Sequence, residues 1–510
     1  MDLIQNRTFD EINVGDSATL LRTLSKEDIV LFAAVSGDVN PTHVDEEFAR
    51  SEMFHRVIGH GMWGASLIST VLGTELPGPG AIYVSQSLHF RKPVAVGDVV
   101  RVTVRAAEKD AAKKRIRFDC QCVNQSGDVV IEGVADVLAP KEKVSRPRMA
   151  LPEVRVFDRS ARYRELMRRA ENVPAVRAAV VHPVDIDSLA GCLEAAKRGL
   201  IIPTFVGPRA RIRAAAEAGG FDADRLNIVA TEHSHAAAAK GVSLARGGHV
   251  DVLIKGALAS AEFMAAVAAP HSGLQTSRCM SHVCVLDVPT YPRPLLLTDA
   301  ELHPYPTLDE KRDIVQNAIE LAHAIGIAEP KVAILAASDQ VSPRLESTMH
   351  AAALCKMAQR RQITGGVLEG PMSFDTAVSE AAAGRKGVMS AVAGKADILI
   401  VPDLEAGRML VQQLEYLVDA QSADLILGGR VPIICPGIDD TLRTREAACA
   451  LAALLVGTRP ARAEGAAPAR ASESADALAA TRRVDFGAEP AISGTRRSVG
   501  PNVIETGAAK

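Results

Sequence analysis

The chain has 510 residues, a length that exceeds a single hydrophobic core and predicts two or more domains. Its charge is nearly balanced, with 58 Lys and Arg against 61 Asp and Glu, and it has no long basic run. This balance argues against a groove for a phosphate backbone, so we expect small-molecule ligands and no nucleic-acid partner.

The N-terminal residues MDLIQNRTFDEI lack the basic and apolar regions of a signal peptide. No apolar run reaches the ~20 residues that a membrane helix needs, so no membrane partner is expected. The eight cysteines are scattered, and only Cys120 and Cys122 lie close together. The sequence therefore predicts a cytoplasmic protein with reduced thiols.

Residues 1–140 have the pattern of a small α+β domain. A helix is predicted over Lys26–Ala34, and an apolar helix rich in Gly and Ala is predicted between Gly59 and Gly73. Four segments alternate apolar and polar residues, as half-buried strands do, and their connectors favour an antiparallel meander. These segments are Ala81–Phe90, Asp98–Ala107, Lys113–Asn124 and Asp128–Leu138.

Residues 141–160 mix charge with proline and are predicted to link this domain to a second one over 161–457. There, apolar strands alternate with alanine-rich helices, which is typical of an α/β domain with a mainly parallel sheet. Because the stretch is long for one sheet, we expect two lobes around a cleft. The predicted strands are AAVVH, PTFVG, LNIVA, VDVLIKG, HVCVLDV, KVAILAA, ADILIVP, ADLILGG and VPIIC.

Residues 458–510 are rich in Ala, Pro and Ser and are predicted to be disordered, because they hold too little apolar surface to offset the entropy of ordering. The chain has no dinucleotide-binding fingerprint, P-loop or nucleophile elbow. His233 and His235 stand at a predicted helix start, but no third ligand is near in sequence. We therefore expect no metal and no cofactor.

The segment SGDVNPTHVDEEFA (Ser36–Ala49) contains the first candidate site. Pro41 stops a continuous helix, so a rigid turn can direct the Asp38 carboxylate and the His43 ring toward one point. Such a pair can hold a water and exchange protons with an activated double bond. Gly61 begins the apolar helix and offers an N–H to a thioester oxygen. The alternative is that Asp38 only caps a turn and His43 is a surface residue.

This segment, followed by HGMWGASLIS and IYVSQSLHFRKPVAVGD, resembles the MaoC-like, (R)-specific enoyl-CoA hydratases over nearly all of residues 8–138. The resemblance implies a hot-dog fold, an antiparallel sheet around a central helix, that is usually dimeric. It also implies hydration of trans-2-enoyl-CoA to (R)-3-hydroxyacyl-CoA. By position, Asp38 and His43 match the catalytic pair, Gly61 matches the oxyanion donor, and Ser69 matches an active-site serine.

The second half resembles the phosphate acetyltransferase and phosphate butyryltransferase family, with a leaning toward the butyryl branch. The resemblance covers about Val173–Val456 and implies the reaction acyl-CoA + phosphate ⇌ acyl phosphate + CoA in a cleft between two α/β lobes. The segments that carry it are VDVLIKGALASAEF, SRCMSHVCVLDVP, LLTDAELHPYPTLDEKRDIVQNAIELA, ITGGVLEGPMSFDTAVS and KADILIVPDLEAGRMLVQQL.

That reaction needs cations and donors for phosphate, and stabilisation of the leaving thiolate. Lys255 and Arg278 are candidates to bind phosphate or the CoA phosphates, and Ser281 is a candidate donor to a phosphoryl oxygen. Asp299 stands in the same group of motifs, all after predicted strands, where an α/β cleft gathers its ligands. For each residue the alternative is a surface charge or a turn hydroxyl.

Two positions depart from the family pattern. The Ser-Arg pair that usually follows the last strand is replaced by Gly437 and Ile438, and the Asn of an AGN element is replaced by Arg408. One hypothesis is that Arg408 supplies the guanidinium missing at Ile438. The competing hypothesis is that this domain binds acyl-CoA but transfers poorly.

The sequence thus predicts a bifunctional homo-oligomer, a dimer or higher, that hydrates enoyl-CoA and transfers short acyl groups between CoA and phosphate. The alternative is an active hydratase whose C-terminal domain only binds acyl-CoA or drives oligomerisation.

Overall fold

The structure is a computed structural model that describes residues 3–152, 154 and 156–458. The chain divides into two compact units, the first ending at Phe157 and the second beginning at Asp158. This boundary falls within the predicted linker. Thr458 is the last residue of a helix, and the rest of the predicted disordered tail lies outside the described residues.

The first unit contains all the elements predicted for it, with bounds shifted by a few residues, together with three strands and two short helices that were not predicted. Its strands are β1 (Leu3–Gln5), β2 (Ser17–Thr23), β3 (Ile82–Phe90), β4 (Val99–Asp110), β5 (Arg115–Val123), β6 (Val129–Leu138) and β7 (Ser145–Pro147). Its helices are α1 (Lys26–Ser36), α2 (Pro41–Val44), α3 (Glu46–Ser51) and α4 (Gly61–Thr74). The linker is partly ordered, because β7 pairs with β1.

Five strands form an antiparallel sheet in the order β2-β4-β5-β6-β3. The predicted meander is correct for β4, β5 and β6 but wrong for β3, which pairs with β6 at the far edge. The reason is the connector over residues 91–98, which is not a tight turn and leaves β4 free to pair with β2 instead.

The sheet packs against α4 to form the core of this unit. Alternate residues of β4 and β5 are fully buried, including Val102 and Phe118, and they share one cluster with Trp63 and Ile68 of α4. Each buried large side chain contributes about 1.5–3 kcal/mol. The α+β hot-dog arrangement, a sheet around a central helix, is therefore confirmed.

Within the described residues, the second unit contains all nine predicted strands and two more, Leu295–Thr298 and Val367–Met372. The strands are β8 (Val176–Val181), β9 (Ile201–Gly207), β10 (Ile228–Ala230), β11 (Val252–Lys255), β12 (Ser281–Asp287), β13 (Leu295–Thr298), β14 (Lys331–Leu335), β15 (Val367–Met372), β16 (Ile398–Ile400), β17 (Gln421–Leu427) and β18 (Ile433–Ile434). The helices are α5 (Ala161–Ala170), α6 (Ile186–Lys197), α7 (Arg209–Ala218), α8 (Ser234–Arg246), α9 (Ser260–Ala268), α10 (Leu308–Ala324), α11 (Glu346–Gln359), α12 (Phe374–Val378), α13 (Glu380–Lys386), α14 (Leu404–Val418) and α15 (Leu442–Thr458).

The strands of the second unit form one sheet in the order β10-β9-β8-β11-β18-β17-β12-β13-β16-β14-β15. Two parallel blocks, β10-β9-β8-β11-β18 and β13-β16-β14-β15, are joined by antiparallel pairings through β17 and β12. The predicted α/β class with mainly parallel pairing is confirmed. The expectation that the stretch is too long for one sheet is wrong, because the antiparallel pairings of β17 and β12 join the two blocks into one continuous sheet.

The strands of these blocks are mostly apolar because helices cover both faces of the sheet. Residues 178–181 of β8, for example, are completely buried. Polar groups are therefore found where strands end, and Lys255 and Asp299 both lie at such positions. Among the described residues, no helix is both long and apolar enough to span a bilayer.

Candidate active sites

In the first unit, a sharp bend joins α1 to α2. Helix α1 ends at Gly37, whose left-handed conformation (φ 76°) suits glycine, and the Gly37 N–H donates to Ala33 O. Asn40 caps α2 by accepting a hydrogen bond from Thr42 N–H, and Pro41 occupies the first turn. Asp38 lies between the two helix ends, as the sequence predicted from the proline.

The bend brings the Asp38 carboxylate and the His43 ring together. One polar side-chain atom from each of them and one from a third residue, His60, lie within 4.8 Å of one another. His43 Nδ1 is 2.8 Å from Ile58 O, and because a carbonyl oxygen only accepts, Nδ1 must carry the proton. A neutral His43 therefore keeps its lone pair on Nε2, the form that a general base requires.

Sequence reasoning missed His60, although it directly precedes Gly61 in the segment HGMWG. The His60 side chain is 3% exposed, and its ring centroid lies 4.0 Å from that of His43. His60 Nε2 is 3.0 Å from the backbone oxygen of Asp38, so Nε2 is the protonated nitrogen. The only sequence signal was its position beside the predicted oxyanion donor.

Gly61 is the first residue of α4, where backbone N–H groups lack helical partners and the helix dipole is positive. The position has little room for a side chain, since a β-carbon at Gly61 would lie 3.0 Å from Cε1 of Phe90. Ser69 is exposed on α4, roughly 12 Å further along the helix axis.

In the second unit, Lys255 is half-buried at the end of β11. Its Nζ lies 3.4 Å from the carbonyl oxygens of Gly256 and Leu258. Burial lowers the pKa of Lys255, and the nearby Arg445 guanidinium lowers it further. A bound anion at this site would therefore be stabilised by the positive charges of Lys255 and Arg445.

Asp299 is buried, and its carboxylate is fully engaged by protein donors. It accepts hydrogen bonds from the N–H groups of Glu301 and Leu302, and lies 2.8 Å from His303 Nδ1. Burial works against protonation of His303, but its hydrogen bonds with Asp299 and Cys279 raise its pKa to about 10. Asp299 thus holds a cationic imidazole that the sequence analysis did not single out.

The other predicted transferase residues have partners within the protein. Arg278 pairs with Glu320 at 2.7 Å, and Ser281 is completely buried with its hydroxyl 2.8 Å from Asn317 Nδ2. Arg408 is exposed and lies 3.2 Å from Glu301. The structure therefore associates Arg408 with the Asp299 loop, whereas Ser281 points into the core and does not present its hydroxyl to solvent.

The substituted pair follows β18, and Ile438 is 94% exposed. A different arginine lies beside this loop: Arg445 Nη2 donates to Gly437 O at 3.2 Å, and its Nε donates to Asp440 O at 3.3 Å. Arg445 and Lys255 also line the same small cavity. Sequence reasoning missed Arg445 because it follows the motif by seven positions on α15.

A buried histidine, His282, lies near the Asp299 loop. His282 Nε2 is 3.6 Å from Asp424 Oδ2. Burial opposes its protonation, but the Asp424 carboxylate raises the pKa of His282 to about 9. The Cys435 thiol interacts electrostatically with Lys255 and with Asp424, so these groups belong to one connected polar region.

The chain thus holds two units, an antiparallel hot-dog unit with an Asp–His pair and an α/β unit with buried cations near strand ends. Residues 226–434 match the family described as "Phosphate acetyl/butaryl transferase", and residues 14–124 match the "MaoC like domain". The chain belongs to the phosphate acetyl/butyryltransferase family and carries a MaoC-like domain fused at its N-terminal side.

Relatives of known name agree with this division. A phosphate acetyltransferase of Rhizobium meliloti is 53% identical over 291 residues, covering 57% of this chain and 92% of that protein. A phosphate butyryltransferase of Clostridium acetobutylicum is 36% identical over 297 residues, covering 58% and 99%. These identities do not support the leaning toward the butyryl branch inferred from the motifs.

A solved structure is similar to the first unit. The unliganded (R)-hydratase of Pseudomonas aeruginosa shares 40% sequence identity, covers 30% of this chain and 99% of its own, and has a TM-score of 0.30.

Proposed function

We propose that the chain is a bifunctional acyl-CoA enzyme. The first unit adds water to a trans-2-enoyl-CoA to give an (R)-3-hydroxyacyl-CoA. The second unit transfers a short acyl group between CoA and phosphate. The observation that carries the proposal is the convergence of Asp38 and His43 within 4.8 Å beside the start of α4.

Hydration needs one water, one base and one acid at the double bond. The water sits between the Asp38 carboxylate and the free Nε2 of His43, and its oxygen bonds to the β-carbon while a proton returns to the α-carbon. The Gly61 N–H binds the thioester oxygen, which gains negative charge during the addition. The proposed steps use only the water and these protein groups.

Phosphorolysis forms a bond between a phosphate oxygen and the acyl carbon, and CoA leaves as the thiolate. Lys255 is the predicted residue best placed to hold phosphate, since it lines a cavity with Arg445 near the end of β18. The protonated His303, which Asp299 holds in place, is a further cation of this unit. Arg445 is a better substitute for the missing guanidinium than Arg408, because it contacts the Gly437 loop directly.

The alternative function is a hydratase whose second unit binds acyl-CoA or promotes oligomerisation without transfer. The replacement of the Ser-Arg pair by Gly437 and an exposed Ile438 favours it. The presence of the remaining motifs and 53% identity to a phosphate acetyltransferase favour transfer.

The test is a substrate panel on the purified full-length protein. Loss of the enoyl thioester absorbance is followed with short-chain enoyl-CoAs, and thiol release is followed with acetyl-, butyryl- and 3-hydroxybutyryl-CoA, each with and without phosphate. Phosphate-dependent thiol release from at least one thioester is expected. If none is turned over, the transferase proposal fails and the binding alternative stands.

We also propose that the first unit forms a homodimer through β3. Within the described residues, β3 pairs on one side only, with β6, and its exposed side chains include Ile82, Val84 and Phe90. A long apolar edge strand of this kind is a template for pairing with a second copy. Val84→Lys should weaken the dimer in light-scattering measurements, and an unchanged mass at all concentrations would contradict the pairing.

A further inference from the structure

His60 connects the two parts of the hydratase site. Its backbone is the cap of α4, directly before Gly61, whose N–H faces the thioester oxygen in the proposed mechanism. Its side chain reaches the other part, because Nε2–H donates to the backbone oxygen of Asp38 at 3.0 Å. One residue therefore ties the acid–base bend to the start of the oxyanion helix.

The environment of the His60 ring fixes its orientation. The ring lies against His43 with centroids 4.0 Å apart and a 34° angle between the planes, and Phe32 packs at 5.0 Å. The residue is 3% exposed. With Asp38 O occupying Nε2–H and aromatic rings beside it, His60 has little freedom to rotate.

His60 Nδ1 is buried and has no hydrogen-bond partner among the described residues. Burying an acceptor without a hydrogen-bond partner costs free energy. If this side chain only filled space, Phe or Leu would therefore be more stable here than His. The feature that a histidine adds at this position is the Nε2–H donor to Asp38. The histidine is therefore explained by the hydrogen bond that it donates to the Asp38 backbone oxygen.

We infer that His60 is a positioning residue that holds the Asp38–His43 pair in register with the Gly61 N–H. The inference rests on the proposed hydratase function. Its physical basis is that a catalytic group displaced by about 1 Å can lose on the order of 100-fold in rate. His60 acts through Asp38 and His43 and need not touch the reacting atoms.

The experiment compares His60→Phe with His60→Gln in the full-length protein. His60→Phe keeps an aromatic ring against His43 but removes the donor, so kcat for hydration should fall about 10- to 100-fold while KM changes less than about threefold. His60→Gln keeps an N–H that can reach Asp38 O, so most of kcat should return. His271→Phe, at an exposed histidine of the second unit, should leave hydration unchanged.

Three results would overturn the inference. One is a folded His60→Phe variant with wild-type kcat. Another is an equal loss in both variants accompanied by an equal fall in melting temperature, which would indicate a role in folding alone. The third uses nitrogen NMR of the His60 ring: we expect the Nε2–H tautomer, whose proton is donated to the Asp38 backbone oxygen, and the Nδ1–H tautomer would contradict the inference.

The NMR measurement does not depend on turnover. A wild-type protein that hydrates no enoyl-CoA would contradict the proposed function, while the His60 tautomer would still decide whether His60 donates to the Asp38 backbone.

Discussion

Replacing Asp38 with Asn removes the proposed acid–base carboxylate while leaving the bend intact. Asp38 is exposed, and its Oδ1 accepts the Asn40 N–H at 3.2 Å. The amide oxygen of Asn can accept the same hydrogen bond, so the free energy of unfolding should change by about 0.5 kcal/mol or less.

The expected effect on the reaction is much larger. A general acid–base group contributes roughly 10²–10⁴ in rate, which is about 2.7–5.4 kcal/mol of the activation barrier. In Asp38→Asn, kcat for enoyl-CoA hydration should fall by this factor and phosphorolysis by the second unit should be unchanged. Both rates are measured on the same preparation, by enoyl absorbance and by thiol release.

Asp45→Asn is the matched control. Asp45 caps α3 by accepting hydrogen bonds from the N–H groups of Glu47 and Phe48, and Asn serves equally well as a cap. Asp45→Asn should therefore hydrate at the wild-type rate. The reasoning is refuted if Asp38→Asn retains kcat within about fivefold of wild type, or if the control is equally impaired.

Gly61→Ala should slow hydration, because its β-carbon would lie 3.0 Å from Phe90 and force α4 or the Phe90 ring to move. Gly73→Ala, on the same helix, should leave the rate unchanged because no atom lies within 4 Å of the added β-carbon. Equal hydration rates in the two variants would contradict this prediction. Arg445→Ala should raise the phosphate KM of phosphorolysis about tenfold, which corresponds to the loss of one hydrogen bond to a charged group. The phosphate KM should rise more in Arg445→Ala than in Arg408→Ala. A larger rise in Arg408→Ala would restore the hypothesis that Arg408 supplies the missing guanidinium. The pKa of His303 is raised from 6.5 to about 10 in the folded protein, so the stability that its pairing supplies is complete below pH 6.5 and is lost as pH rises toward 10. Calorimetry should show this decline, and His303→Gln should flatten it; the same slope in the variant would assign the pH dependence to other groups.

Local sequence patterns determined much of this protein. Alternating residues in VVRVTVRA indicated β4, uninterrupted apolar runs indicated the strands of the parallel blocks, and Pro41 indicated the bend at the Asp–His pair. These predictions succeed because they depend on periodicity and on backbone restriction within a few residues. The division into a hot-dog unit and an α/β unit follows from the change between the two patterns.

Contacts between distant segments were decided only by the tertiary structure. The pairing of β3 with β6, the packing of His60 on His43, the approach of Arg445 to Gly437 and the charge of His303 each depend on the folded chain. A sequence pattern reports which face of an element is apolar, but it does not report which other element lies against that face. For that reason the sequence placed Asp38 and His43 together across five residues, whereas the third member of their cluster required the fold.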